Sequence, residues 1–167
     1  MKYRHAFFLS LFLLSSLATA ESLDGPRIGV TYLDHKTQSY LKNEKQVELT
    51  SSSIIQFGWQ YETRFFSIPE GPQGIVEFVP LVGGFEQGLA IPSATALAGL
   101  RFNNGVEVLV GPNVSPSSTG VALAIGHTSQ MGGLNLPINL AYVSTPNGGR
   151  ISVLIGFNAQ SKYKNNP

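Results

Sequence analysis

His127 and Ser129 stand two residues apart in a stretch where apolar and small residues alternate, so an imidazole and a hydroxyl share one face of a strand. A histidine within hydrogen-bond reach of a serine can take its proton and turn the hydroxyl into a nucleophile for acyl transfer. The pair also needs a carboxylate to orient the imidazole, and no Asp or Glu follows Glu107. The plain alternative is a strand that ends in polar residues before Gly132-Gly133. The missing acid favours that alternative. His127 and Ser129 stay catalytic candidates in a chain read as non-catalytic.

Other chemistry is thinner. Beyond the first twenty residues there are two histidines, His35 and His127, in distant segments and with no metal-ligand spacing, so no metal site is expected. The chain has no cysteine, which excludes disulfides, thiolate ligands and a thiol nucleophile. Glu62 and Glu77 could act as an acid/base pair, but carboxylates on neighbouring strands are more simply members of a charge network or exposed. Gly83-Gly84 and Gly132-Gly133 lack the strand, loop and helix context of a phosphate cradle and read as turns. No cofactor is implied. Trp59, Tyr61 and Phe65 could line the wall of a pocket for a small apolar ligand. Core or lipid contact is the favoured reading of these aromatics.

The elements that must carry these residues are strands. In Ile55–Phe65, Ile55, Phe57, Trp59, Tyr61 and Phe65 alternate with Gln56, Gly58, Gln60, Glu62 and Arg64, a period of two over eleven residues. Further strands are expected at Arg27–Leu33, Gly74–Leu81, Leu97–Phe102, Val106–Val110, Val121–Thr128, Leu134–Val143 and Ile151–Phe157, with a weaker one at Phe85–Ile91. Asn104-Gly105, Gly132-Gly133 and Asn147-Gly148 mark tight turns, and Gly111-Pro112-Asn113 reads as a strand end. Segment 34–53 is polar and is expected to be a short helix or loop insert. Short turns imply antiparallel neighbours. The chain thus reads as an all-β antiparallel meander of about eight or nine strands, most simply closed into a small barrel that leaves no edge.

Two orientations compete. A soluble barrel faces its apolar residues inward, and a membrane barrel faces them outward around a small, polar lumen. The faces opposite the apolar stripes carry Gln56, Gly58, Gln60, Ala122, Ala124, Gly126, Asn135, Asn139, Ser152 and Gly156. A surface meant for water would carry more Lys and Glu. Charged residues are 13% of the chain, about half the usual share of a soluble domain, against 43% hydrophobic residues. Glu62, Arg64, Glu77, Glu107 and Arg150 could then pair inside a lumen. Against a membrane barrel stand the short stretches Arg27–Leu33 and Phe85–Ile91, Pro137 inside a strand, and the residues that follow Phe157.

Lys2 and Arg4, the apolar run Ala6–Leu17 and Ala18-Thr19-Ala20 form the three parts of an export leader, expected over 1–20. A single β domain over 21–158 and a polar tail over 159–167 are expected to follow. The formal charge of +1 gives no basic face, so a nucleic-acid partner is not expected.

The runs Gln56-Phe57-Gly58-Trp59-Gln60, Val79-Pro80-Leu81-Val82-Gly83-Gly84, Val110-Gly111-Pro112-Asn113-Val114-Ser115 and Leu136-Pro137-Ile138-Asn139-Leu140 resemble those of a group of exported bacterial barrel-like envelope proteins. The resemblance implies an envelope location and brings no activity. His127-Thr128-Ser129 is similar to the His-x-Ser element of the lipid A deacylases, eight-stranded outer-membrane barrels. That family places Asn after the serine, where this chain has Gln130, and a carboxylate downstream, where this chain has none. The expected function is a non-catalytic cell-envelope barrel, structural or channel-like and associated with the outer membrane and its lipid. The alternatives are a soluble periplasmic barrel holding a small apolar ligand, and an acyl hydrolase using Ser129 and His127.

Overall fold

The computed structural model describes residues 23–159, so the expected leader and most of the expected tail lie outside the described residues. Eight strands run in chain order: β1 (Gly25–Leu33), β2 (Ser53–Ser67), β3 (Gln73–Gly83), β4 (Ile91–Arg101), β5 (Val106–Ser115), β6 (Ser118–Met131), β7 (Leu134–Thr145) and β8 (Gly148–Gly156). Each pairs antiparallel with its sequence neighbours, and β8 returns to β1 from Arg27↔Gly156 to Leu33↔Arg150. The sheet is therefore closed and exposes no row of unpaired backbone groups. A two-residue β9 (Asn158–Ala159) extends the chain along the start of β7.

The register fixes the shape. From Ile28, pairing through Phe57 and Val82 reaches β4 at Pro92. In the other direction it runs through Ile155, Ile138, His127 and Val106, and reaches the end of β4 at Phe102. The two routes meet β4 ten residues apart, which is the stagger of the barrel. With eight strands about 4.8 Å apart and a rise of about 3.3 Å per residue, that stagger tilts the strands by roughly 40°.

The insert contains one α-helix, α1 (His35–Lys45). Asp34 caps it by accepting the Thr37 N–H at 2.7 Å, and Gln46 ends it in the left-handed conformation. Leu41 packs with Leu33 and Ile54, joined by Val47 and Leu49, so α1 lies over one end of the barrel. Both described chain ends lie at the opposite end.

Several strands are longer than alternation alone suggested. Gly111-Pro112-Asn113 does not end β5, which runs on to Ser115 with Pro112 turned outward. The ladder skips instead. β4 and β5 pair at Thr95↔Asn113 and next at Ala98↔Val110, and β2 and β3 leave the same gap beside Pro80. A proline has no N–H to give, and the gap absorbs the loss. Phe85–Ile91 is not a strand. Gly84 and Gly88, both at positive φ, bound a 3-10 turn at Phe85–Gln87, and β4 begins only at Ile91. Pro137 sits inside β7 on the lumen side without breaking its pairing to Thr128.

Candidate functional site

The outer wall is apolar on all eight strands. Ile28, Trp59, Phe78, Leu100, Val110, Leu123, Leu140 and Val153 each represent one strand, and all point away from the barrel and are exposed. No outward-facing strand residue among those described is Asp, Glu, Lys or Arg. Every charge on the described strands points into the lumen, and the remaining charges lie in turns, in α1 or beside the strand ends. Phe65, Phe66, Phe102 and Phe157 ring the end where the described residues begin and end, and Tyr32, Tyr142 and Phe85 lie toward the α1 end.

The lumen inverts this order. Glu62 and Glu77 face one another across β2 and β3, and Arg101 sits between them and Glu107. Its guanidinium donates to both Glu62 oxygens at 2.6 Å in a forked, bidentate pair. Nε and NH2 donate to Glu107 Oε2 at 2.9 and 2.7 Å. Asn139 Nδ2 donates to the other Glu107 oxygen at 2.5 Å. Gln60 links the cluster to a second cation: its Nε2 donates to Glu77 Oε1 at 2.8 Å, and its Oε1 accepts from Arg27 Nε at 3.0 Å. Three carboxylates and two guanidiniums are thus buried together, tied by charge-assisted bonds that offset part of the cost of desolvating them.

Glycine makes room for this cluster. A Cβ on Gly126 would lie 2.4 Å from Asn139 Nδ2 and 2.5 Å from Glu107 Oε1, so a larger residue there would displace the bonded pair. Beside the polar groups, Ile75, Leu97, Leu109, Ala122, Ala124 and Val143 fill the remaining lumen.

Toward α1 the lumen keeps an internal cavity of about 70 Å³. One wall is apolar, with Leu33, Leu41, Ile54 and Leu81; the other carries Thr31, Gln56, Ser152 and Arg150. Thr31 bonds Gln56 and Ser152 at 2.5 and 2.6 Å. At the opposite mouth a polar recess of about 520 Å³ is lined by Arg64, Gln73, Asn103, Asn104, Gln130 and Asn135.

The sequence candidates divide. His127 and Ser129 do share the outer face of β6, with Ser129 Oγ 3.3 Å from His127 Nδ1. Their cross-strand partners are Ile138 and Leu136, and no described carboxylate shares their face. Trp59, Tyr61 and Phe65 line neither recess. They are outward-facing and 42–55% exposed, because alternation along β2 sets them opposite Gln60, Glu62 and Arg64. Of the expected lumen charges, Glu62, Glu77 and Glu107 come together. Arg150 bonds only neutral oxygens at the far end, and Arg64 lies at the open mouth. The sequence reading missed Arg101 and Arg27 as lumen groups, although both fall on the inward side of their strands. Among the described residues no group of three His, Asp or Glu side chains could hold a metal.

No family model matches the chain. No curated protein matches it either. Among solved structures it is similar to Ail, the attachment invasion locus protein of Yersinia pestis, at 16% identity and a TM-score of 0.51, over 83% of this chain and 97% of that one. At that identity the likeness concerns the fold: both chains share an eight-stranded barrel arrangement.

Proposed function

We propose that this protein is a non-catalytic cell-envelope barrel of the outer-membrane kind, with lipid against its outer wall and a structural role. The observation that carries this reading is the inversion of polarity. A closed wall with no Asp, Glu, Lys or Arg among its described outward-facing strand residues encloses a buried cluster of five ionisable side chains. Water outside and lipid nowhere would leave that wall without a reason, since exposed apolar patches of such extent mark membrane or partner contact. Strands of nine to fifteen residues meet the roughly 9–11 needed to cross a bilayer at this tilt. None of the described helices is long and apolar enough to cross, a condition that does not bear on strands.

The closed lumen favours a structural role over a channel, because Arg101 and its carboxylates occupy the cross-section. The cavity of about 70 Å³ is also far below the ~300 Å³ at which ligand pockets begin, which disfavours an internal apolar ligand. Membranes from cells expressing the full chain, washed with alkaline carbonate, test the reading. The protein should stay with the outer-membrane fraction. Release into the supernatant would favour the soluble periplasmic alternative.

A second reading, acyl hydrolysis, has one observation in its favour, the contact between Ser129 and His127. It lacks the orienting acid.

A further inference from the structure

We infer that the lumen beneath α1 is a binding site for a small monovalent anion, held by the Arg150 guanidinium, which Ser115, Ser117 and Asn113 orient. Arg150 is buried, at 9% exposure, and borders the cavity closed by Leu33, Leu41 and Ile54. Its NH1 donates to Ser115 Oγ at 2.8 Å and Ser117 Oγ at 2.7 Å, and its NH2 donates to Asn113 Oδ1. All three acceptors are neutral. No described carboxylate lies within ion-pair distance of it, whereas Arg101 has three.

The other acids are accounted for elsewhere. Glu62, Glu77 and Glu107 gather on Arg101 and, through Gln60, on Arg27. Asp34 is close along the fold, since Leu33 pairs with Arg150, but its two oxygens accept from Thr37 N–H and Gly149 N–H. A guanidinium removed from water without a countercharge is costly, and neutral hydroxyls and an amide compensate only part of that cost. The site therefore carries a positive charge beside a void, while the neutral groups around it serve to fix the guanidinium: the Asn113 amide N–H donates to Thr95 Oγ1 at 2.7 Å, and the hydroxyls of Ser115 and Ser117 bond each other at 2.7 Å.

The void sets the class of ligand. By the same measure a single water needs about 10–15 Å³, so the volume of about 70 Å³ has room for a halide or formate-sized ion together with a few waters. A divalent oxyanion would bring a second charge for which this end of the lumen has no cation, and Leu33, Leu41 and Ile54 give no polar shell on the facing side.

The test is anomalous diffraction from crystals of the protein grown in detergent with bromide replacing chloride at about 0.15 M, a physiological ionic strength. A bromide peak should stand within hydrogen-bonding reach of the Arg150 guanidinium and disappear in Arg150→Met. Ser117→Ala should keep the barrel and reduce the peak. Wild-type crystals that show bromide on their surface and none beside Arg150 would overturn the inference, and this holds even if Arg150→Met does not refold. A peak seen only at molar bromide is an adventitious ion only, and a peak that survives Arg150→Met has another cause; either result overturns it as well.

Discussion

Glu62 and Glu77 sit directly opposite each other on β2 and β3, and the Arg101 guanidinium lies 2.6 Å from the first and 3.7 Å from the second. Two carboxylates at adjacent register positions would repel. Here a cation from the end of β4 makes the pairing tenable, and Glu107 from β5 completes its shell.

Removing that cation should therefore cost more than removing either neighbouring charge. Arg101→Met leaves three buried carboxylates around an apolar side chain, and loss of one partner from a buried ionic group typically costs about 3–5 kcal/mol. Glu77→Gln keeps a polar group beside Gln60 and the bidentate Glu62 pair, and should be clearly milder. Urea unfolding of the refolded barrel in lipid measures both. Equal losses would mean that Arg101 holds no special place in the cluster.

Depth within the outer wall gives the second prediction. Val153 faces outward midway along β8, opposite Leu140 on β7. If lipid contacts this wall, Val153→Arg should cost about 2–4 kcal/mol, and Thr119→Arg, outward beside the β5–β6 turn, about 0–1 kcal/mol. Ser152→Arg, on the lumen side of the same strand, should be costly whatever surrounds the wall, because Ser152 is buried, bonds Thr31 and shares its cavity with Arg150. Equal, small costs at Val153 and Thr119 would indicate water along the whole wall.

The barrel was legible because its strands alternate without ambiguity: Phe57, Trp59 and Tyr61 against Gln56, Gln60 and Glu62 leave no helical reading. Small and amide residues opposite the apolar stripes also pointed to a lumen. What alternation could not supply was the stagger. Arg101 is the last residue of β4 before an Asn-Asn-Gly turn, where a charge reads as solvated; the curl of the sheet around the lumen lets it reach past β3 to Glu62 on β2. Local chemistry misled at Phe85–Ile91, whose apolar residues suggest a strand while two positive-φ glycines fold it into a turn. It misled again at Pro112, where a closed ladder simply skips the missing donor.

The α1 lid should loosen in acid. Burial raises the Asp34 carboxyl, but the N–H groups of Thr37 and Gly149 and the charge of Lys36 outweigh it, and the net pKa lies below the ordinary 3.8. A carboxylate with a depressed folded-state pKa contributes stability that is present above the ordinary value and lost as pH falls through the folded one. Pepsin cleavage between Tyr40 and Leu41 should therefore begin only below that value. Asp34→Ala, which removes the cap and should cost about 1 kcal/mol, should permit cleavage at higher pH with the barrel intact. Identical pH profiles for the two proteins would show that Asp34 does not hold the lid.

The hydroxyl of Ser129 gives the last test. It lies 3.3 Å from His127 Nδ1, the arrangement that general-base activation requires, yet the imidazole has only Val106 on β5 and Ile138 on β7 as its cross-strand partners. Without an acid to fix the tautomer and stabilise an imidazolium, a serine–histidine pair loses most of its catalytic power. The detergent-solubilised barrel should then leave lipid A and a chromogenic ester intact. Ser129→Ala should change unfolding by no more than ~1 kcal/mol, the scale of one exposed hydrogen bond. If the pair were catalytic, hydrolysis would be measurable in the wild type and vanish equally in Ser129→Ala and His127→Ala, because nucleophile and base act as one unit. Turnover that vanishes with both substitutions would replace the structural reading with an enzymatic one and would require an acid supplied from outside the described strands.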